Sequence, residues 1–164
     1  MSAADAGAAF VSGKVDAAVT WEPWLSKAVA QKKGHVLLSS QDLPGIIVDS
    51  VSLRSDFVAA HPEAVQGFVA ALAEAMDYYK ANPDEAAALM AKGLGIEVKE
   101  FTDTAQGLHF FDAAGNKAFF GTPEKPGGLY ATTEKAAAFY KDQKLIDTAP
   151  QAAAVIDPTF VNKL

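Results

Sequence analysis

The sequence predicts an α/β fold with an incomplete parallel sheet. Three short apolar stretches, at 15–20, 35–38 and 46–53, have the length and composition of buried strands. The first two are separated by a helix-like segment, and strands that alternate with helices over short connections typically form a parallel, doubly wound sheet. A polar loop at 39–45, which carries Pro44, leads to the third strand. Three parallel strands make a poor core alone, so we expect neighbouring strands from elsewhere.

Two short helices are predicted on either side of the first strand. Residues 3–12 are rich in alanine and end at Gly13, the usual punctuation after a short helix. The second helix is expected to begin near Pro23, since proline suits the first turn, and to end at Gln31. The first part of the chain is therefore predicted to run α-β-α-β.

From residue 55 onward the pattern is almost entirely helical. Asn82 and Pro83 form a helix-start signal, and further helices are predicted at 98–108 and 129–143, with a short one at 158–164. After Pro62, six apolar side chains recur at helical spacing and form one continuous stripe. They are Val65, Phe68, Val69, Leu72, Met76 and Tyr79.

The stretch 112–128 is predicted to be an irregular loop. It is rich in glycine and contains two prolines among aromatic residues. Such a composition usually marks a connection rather than a helix. We expect Phe119 and Phe120 to pack this loop against the body of the protein.

The composition excludes several classes of function. The formal net charge is −6, whereas nucleic-acid binding draws its affinity from clustered Lys and Arg. The chain has no cysteine, hence no disulfide, no thiolate nucleophile and no cysteine metal site. No apolar run approaches the roughly 20 residues that span a bilayer, and the N-terminus lacks the features of a secretory signal. If the parent protein is exported, its signal is expected in a segment missing from this chain.

Several sequence segments resemble the nitrate/taurine/sulfonate type (NMT1/THI5-like) of periplasmic solute-binding protein of ABC importers. The last two are also similar to a branch of this family associated with urea and amide uptake. The segments follow one another in the family's order. They are 9–24, 44–49, 54–57, 61–65, 82–86 and 114–121.

This resemblance implies an incomplete type II periplasmic-binding-protein fold. Residues 1–45 would form the end of the second lobe, 46–54 the hinge or crossover strand, and 55–164 the helix-rich C-terminal part of the first lobe. In such proteins two lobes close on a small molecule between them. The implied partners are a small, nitrogen-containing solute and an ABC permease in the inner membrane, and the implied location is the periplasm. Exposed sheet edges in an incomplete chain also favour a homodimer or a domain swap.

The candidate ligand-binding residues are Trp21, Glu22, Thr20 and Asp49. Trp21 and Glu22 follow a predicted strand and open a helix, which is where open α/β sheets place ligands. An indole beside a carboxylate suits a cationic or amide-bearing solute. Thr20 could add a hydroxyl, and Asp49 is an acid within an apolar stretch. The structural alternatives are a core role for Trp21 and simple helix-dipole compensation by Glu22.

No catalytic residue, metal site or cofactor is predicted. The three histidines, at positions 35, 61 and 109, lack metal-ligand spacing, and no serine lies in a nucleophile elbow. Two other functions remain open. A thiamine-pyrimidine synthase-like enzyme would share the fold, but it needs a cysteine-rich motif. A ligand-sensing domain of a transcription regulator would carry a basic helix-turn-helix segment. We expect a binding protein rather than an enzyme.

Overall fold

The computed structural model describes residues 1–43 and 45–164, which are mainly helical. None of the described helices combines the length and apolar composition needed to cross a bilayer. A 3-10 helix spans Ser40–Asp42, within the predicted loop; Pro44 of that loop lies outside the described residues. In chain order, the α-helices of the described part are α1 (Ala3–Val11), α2 (Trp24–Ala30), α3 (Ser55–Ala60), α4 (Pro62–Ala81), α5 (Pro83–Leu94), α6 (Val98–Ala105), α7 (Ala113–Phe120), α8 (Gly128–Asp142), α9 (Ala152–Val155) and α10 (Thr159–Asn162).

The first two helices, α1 and α2, pack against each other. Ser2 caps α1, since its hydroxyl oxygen accepts a 3.1 Å hydrogen bond from the backbone N–H of Asp5. Gly7 is buried where the two helices meet, and a methyl group there would lie 2.6 Å from Thr20 Oγ1 and from Trp24 Cβ. Glycine therefore allows the close approach of this pair. Both helices occur where the sequence predicted them.

The three stretches predicted as strands do not form strands in the structure. Residues 15–20, 35–38 and 46–53 lie outside every helix and join no β-ladder with another described segment. A strand persists only when its backbone N–H and C=O groups have a partner strand, and none lies beside these stretches in residues 1–43 and 45–164. The local strand prediction is therefore wrong for this structure. The α/β, type II periplasmic-binding-protein fold class that rests on it stays a prediction, as does the division into lobes and hinge.

The later helices form a second packed group with a small core. Helices α4, α5 and α6 pack in sequence, and α10 contacts both α4 and α7. Buried Ala87, Ala91 and Phe101 form the centre of a cluster that Tyr79 and Ile96 cover. The sequence prediction is confirmed to within a few residues for the helix starts at Pro62 and Pro83 and for helices α6, α8 and α10.

Helix α7 corrects the prediction of an irregular loop over 112–128. Residues Ala113–Phe120 are helical because Asp112 caps them: its Oδ1 accepts a 2.7 Å hydrogen bond from the backbone N–H of Gly115. Lys80 of α4 pairs with the same carboxylate and ties α7 to α4. One well-placed cap outweighs the unfavourable glycine inside the helix.

Much apolar surface stays uncovered. The chain exposes 11885 Å², whereas a folded single chain of this mass exposes about 7,800 Å². The apolar stripe of α4 shows the effect, because Val65 is buried while Phe68 and Leu72 are nearly half exposed. The helices thus cover only part of the hydrophobic surface that the sequence provides.

Candidate functional site

Three of the four predicted site residues lie together in the connection between α1 and α2. Thr20 anchors this connection to α1, since its hydroxyl donates a 2.7 Å hydrogen bond to the backbone carbonyl of Ala3. The hydroxyl proton of Thr20 is therefore engaged within the protein. Any hydrogen bond from a ligand to Thr20 would have to be accepted by the lone pairs of the hydroxyl oxygen.

Trp21 presents its side chain to solvent while its backbone is fixed. Its side chain is 62% exposed. Its carbonyl accepts a 3.0 Å hydrogen bond from the backbone N–H of Trp24, which closes the turn into α2. An indole held in this way offers an accessible aromatic face at little cost in backbone entropy. Its exposure does not fit the alternative of a core tryptophan.

The carboxylate of Glu22 is oriented by α2. Its Oε2 accepts a 3.1 Å hydrogen bond from the backbone N–H of Ser26, so the acid complements the start of the helix as the dipole argument expects. Its Oε1 has no hydrogen-bond partner among residues 1–43 and 45–164. One oxygen is thus used structurally, and the other can still accept a donor from a ligand.

The second tryptophan, Trp24, has a structural role. It is partly buried against Gly7 of α1, and the ammonium of Lys27 lies 4.9 Å from the centroid of its ring. A cation over an indole face is a favourable contact. Trp24 and Thr20 therefore hold the two sides of the turn that displays Trp21 and Glu22.

Asp49 is not brought to this site by any described contact. It is exposed in the stretch between the 3-10 helix and α3, and it makes no hydrogen bond or ion pair with the other described residues. A charged acid in an apolar stretch must be either solvated or paired, because a buried unpaired charge is costly. Asp49 is exposed, so its carboxylate is solvated. A ligand-binding role for Asp49 stays a prediction.

A groove beside α3 was not anticipated from the sequence. It is open, has a volume of about 650 Å³ and is mostly apolar apart from an ion pair between Arg54 and Asp56. The guanidinium of Arg54 donates to this carboxylate and lowers the pKa of Asp56 below its usual value. The spacing of Leu53, Phe57 and Ala60 is a helical signal that could have pointed to an apolar face here. The groove contains none of the four predicted site residues; its lining residues are Ser52, Leu53, Arg54, Asp56, Phe57, Ala60 and His61.

The turn presents groups that can recognise a small molecule. No group of three or more His, Asp or Glu side chains in the described ranges is placed to hold a metal ion. The turn offers an exposed indole and, in the next residue, an oriented carboxylate. Such a pair can bind a cationic or N–H-bearing group by cation–π contact and charge-assisted hydrogen bonding.

The turn and helices α1 and α2 lie inside a segment that matches a known protein family. Residues 2–95 match the model of the NMT1-like family. The chain belongs to the NMT1-like family. This confirms the family resemblance seen in the sequence, while the branch associated with urea and amide uptake stays a prediction.

Relatives of this NMT1-like chain are named as binding proteins. A candidate binding protein of Brucella abortus (strain 2308) is 33% identical over 92 residues, which is 54% of this chain and 29% of the relative. A candidate aliphatic sulfonates-binding protein of Escherichia coli (strain K12) is 33% identical over 102 residues, 58% of this chain and 30% of the relative. Another of that name, from Bacillus subtilis (strain 168), is 23% identical over 159 residues, 97% of this chain and 45% of the relative.

The NMT1-like chain matches less than half the length of each of these relatives. No solved structure matches it. The match over residues 2–95 therefore shows the family of this chain. It does not assign the activity of the longer relatives to this chain.

Proposed function

We propose that this NMT1-like chain contributes to the solute-binding component of an ABC importer, which captures a small polar molecule and delivers it to a permease in the inner membrane. The family match and the names of the relatives support a binding role. The observation that carries the proposal is that the exposed Trp21 is followed directly in the turn by Glu22, whose carboxylate is oriented by Ser26. The periplasm is the compartment that fits this role.

The proposed solute carries a nitrogen group. The free carboxylate oxygen of Glu22 and the face of Trp21 both favour a cationic amine, a guanidinium or an amide N–H over an anion. An isolated sulfonate would be repelled at close range by the carboxylate. The Escherichia coli and Bacillus subtilis relatives are named for aliphatic sulfonates. An aminosulfonate such as taurine would satisfy both arguments, with its ammonium group on this turn.

The type II two-lobe architecture belongs to the same proposal. Residues 1–45 would complete the second lobe, 46–54 would cross the hinge, and 55–164 would belong to the first lobe. In this arrangement the turn of Trp21 and Glu22 would face the crevice between the lobes, where ligands bind at the ends of parallel strands. Solute capture would then select the closed form.

An enzyme of the same fold is a weaker proposal. A thiamine-pyrimidine synthase-like activity would need a cysteine-rich motif, and this sequence has no cysteine. The relatives, in addition, are named as binding proteins. A sensing domain of a transcription regulator would be expected beside a basic helix-turn-helix segment. This acidic sequence offers no such segment in support of that function.

A thermal-shift screen of the purified chain tests the proposal. The panel comprises taurine, other short sulfonates, nitrate, urea, guanidine and small amides. A ligand present at 100 times its Kd should stabilise the folded chain by about 2.7 kcal/mol. A member that carries an ammonium, guanidinium or amide N–H group should give the largest shift, with titration calorimetry as confirmation. A panel in which nothing binds, or in which only anions without an N–H group bind, such as nitrate or a plain sulfonate, would contradict the proposed ligand class.

A further inference from the structure

The C-terminal end of α8 is exposed on all sides. The first part of this helix is packed, with Tyr130 buried, and Ala137 is its last buried residue. Every residue from 138 to 145 is exposed. Within this stretch Phe139, Tyr140 and Leu145 are 58%, 48% and 67% exposed. Residues 135–145, which hold these three side chains, are called the α8 tip below.

Helical geometry places Phe139 on the outward face of α8. Residues two positions apart on an α-helix lie about 200° apart around its axis, so Phe139 points away from buried Ala137. Lys135 precedes Phe139 by one turn and lies on the same outward face. The ring centroids of Phe139 and Tyr140 are 5.9 Å apart, so the two rings form one aromatic surface. Packing in the core therefore does not account for Phe139.

Lysines surround these aromatic side chains. The α8 tip contains three lysines, Lys135, Lys141 and Lys144, and one acid, Asp142, which gives it a net charge of +2 in a chain of net charge −6. None of the three lysines forms an ion pair within residues 1–43 and 45–164. Lysine is depleted at the centre of protein interfaces, because a buried unpaired ammonium is costly. A folded segment of protein is thus a poor cover for this surface.

We propose that the α8 tip contacts the surface of an anionic lipid bilayer. In helices that bind bilayer surfaces, apolar side chains enter the boundary between headgroups and acyl chains, and lysine ammonium groups stay at the anionic headgroups. Tyrosine is also favoured at this level. Side chains that protrude from a helix end enter a fluid bilayer directly, whereas a protein partner would need a matching pocket.

The acidic remainder of the chain does not cancel this attraction. At physiological ionic strength the interaction of exposed charges is screened over about 8 Å. A bilayer that touches the α8 tip therefore interacts mainly with the charges of the tip. Each lysine near an anionic surface raises the affinity about fivefold. Binding should thus require anionic lipid and should weaken as salt is added.

Co-sedimentation with lipid vesicles tests the proposal on the whole chain. No solute is added, so the result does not depend on the ligand turn at Trp21 and Glu22. The wild type should bind vesicles of phosphatidylglycerol mixed with phosphatidylcholine, and it should not bind phosphatidylcholine alone. Lys141→Gln/Lys144→Gly removes two charges and should bind roughly tenfold or more weakly. Lys144 has a φ of 56°, which glycine adopts readily, so the change does not strain the fold.

The end of α2 supplies a matched control. Lys32 follows that helix with a φ of 54°, and Lys33 is adjacent to it. Residues 24–33 include no exposed aromatic side chain. Lys32→Gly/Lys33→Gln removes the same charge and should bind vesicles like the wild type. Equal losses in the two double variants would show only general charge attraction and would overturn the proposal.

Tryptophan fluorescence locates the contact on the chain. The emission of Phe139→Trp should shift to shorter wavelength when phosphatidylglycerol vesicles are added, because the indole enters an apolar boundary. Leu89→Trp is the control, because Leu89 is 56% exposed but lies on α5; its emission should change no more than that of the wild type. Equal shifts at the two positions would contradict a contact through the α8 tip.

A wild-type chain that does not bind phosphatidylglycerol vesicles would overturn the proposal. That result would instead favour an acidic protein surface as the partner of the α8 tip. Far-UV circular dichroism checks that each variant keeps the helical content of the wild type.

Discussion

The hydroxyl of Thr20 donates a 2.7 Å hydrogen bond to the backbone carbonyl of Ala3, and this contact fixes the candidate ligand turn to the first helix. The bond joins residues 17 positions apart, so it holds tertiary structure rather than a local turn. Trp21 follows directly and projects its indole into solvent. The exposed aromatic side chain is therefore next to a partly buried residue that is tied to α1.

Replacing Thr20 with valine should loosen the pair of helices α1 and α2. Valine keeps the shape of threonine but cannot donate to Ala3, and losing such a hydrogen bond costs about 1 kcal/mol. Trp24 opens α2 and Trp21 lies in the turn before it, and the chain has no other tryptophan, so tryptophan fluorescence during urea unfolding reports on this part of the chain. Thr102→Val is the control, since its hydroxyl bonds only within α6 and is exposed; it should change stability by less than about 0.5 kcal/mol. Equal effects of the two variants would contradict a special role for the Thr20 contact.

The glycine at the helix crossing should not tolerate a side chain. Gly7→Ala places a methyl group 2.6 Å from Trp24 Cβ, where something must shift. Overpacking of this kind costs about 1–3 kcal/mol. The same substitution at Gly67, inside α4 and facing open space, should instead stabilise by about 0.5–1 kcal/mol through helix propensity. The two opposite shifts are read from urea midpoints, Gly7→Ala by tryptophan fluorescence and Gly67→Ala by circular dichroism. A harmless Gly7→Ala would show that α1 and α2 do not pack as described.

The link between α4 and α7 should weaken in acid. The ammonium of Lys80, with a smaller contribution from the Gly115 N–H, lowers the pKa of Asp112 below its usual value. A carboxyl group whose pKa is lower in the folded state than in the unfolded state stabilises the fold. This stabilisation is complete above the unfolded-state pKa of about 4 and is lost as the pH falls through the folded-state pKa.

Two variants separate the ion pair from the helix cap at Asp112. Asp112→Asn keeps an oxygen that can accept from Gly115, whereas Asp112→Ala removes it. At pH 7 the urea midpoint, measured by far-UV circular dichroism, should be highest for the wild type, lower for Asp112→Asn and lowest for Asp112→Ala. Towards pH 3 the gap between wild type and Asp112→Asn should close, because a protonated acid resembles an amide. A gap that stays constant from pH 7 to pH 3 would contradict the ion-pair contribution.

The sequence predicted the helices whose boundaries depend on local signals. Pro62 and Pro83 mark helix starts in the structure because proline at the first turn loses no hydrogen bond. Helix α7 was missed because its start depends on one side chain, that of Asp112, inside a glycine-containing stretch. Local signals of this kind are reliable only when the cap is recognised.

The strand predictions depended on partners that one sequence cannot supply. Residues 15–20, 35–38 and 46–53 have strand-like composition, yet they stay unpaired among the described residues. A helix satisfies its hydrogen bonds within itself, whereas a strand needs a neighbour. Composition therefore identifies where strands can form, and packing decides whether they do.

The candidate site was partly accessible from sequence. The order strand, tryptophan, acid and helix pointed to Trp21 and Glu22; the helix is present, the strand is not, and a ligand-binding role for Thr20, Trp21 and Glu22 stays a prediction. The engagement of the Thr20 hydroxyl by Ala3 was not foreseeable, because it joins α1 to the turn across an intervening stretch.

Titration calorimetry of Glu22→Gln with the best ligand of the screen tests the central claim most directly. Glutamine keeps the size of the side chain and removes its charge, so a cationic or amide solute should bind roughly tenfold or more weakly, since a hydrogen bond to a charged group contributes about 1.5–3 kcal/mol. Glu134→Gln, an exposed acid on α8, should bind like the wild type. Undiminished affinity in Glu22→Gln would contradict the account of the turn as the ligand-binding site.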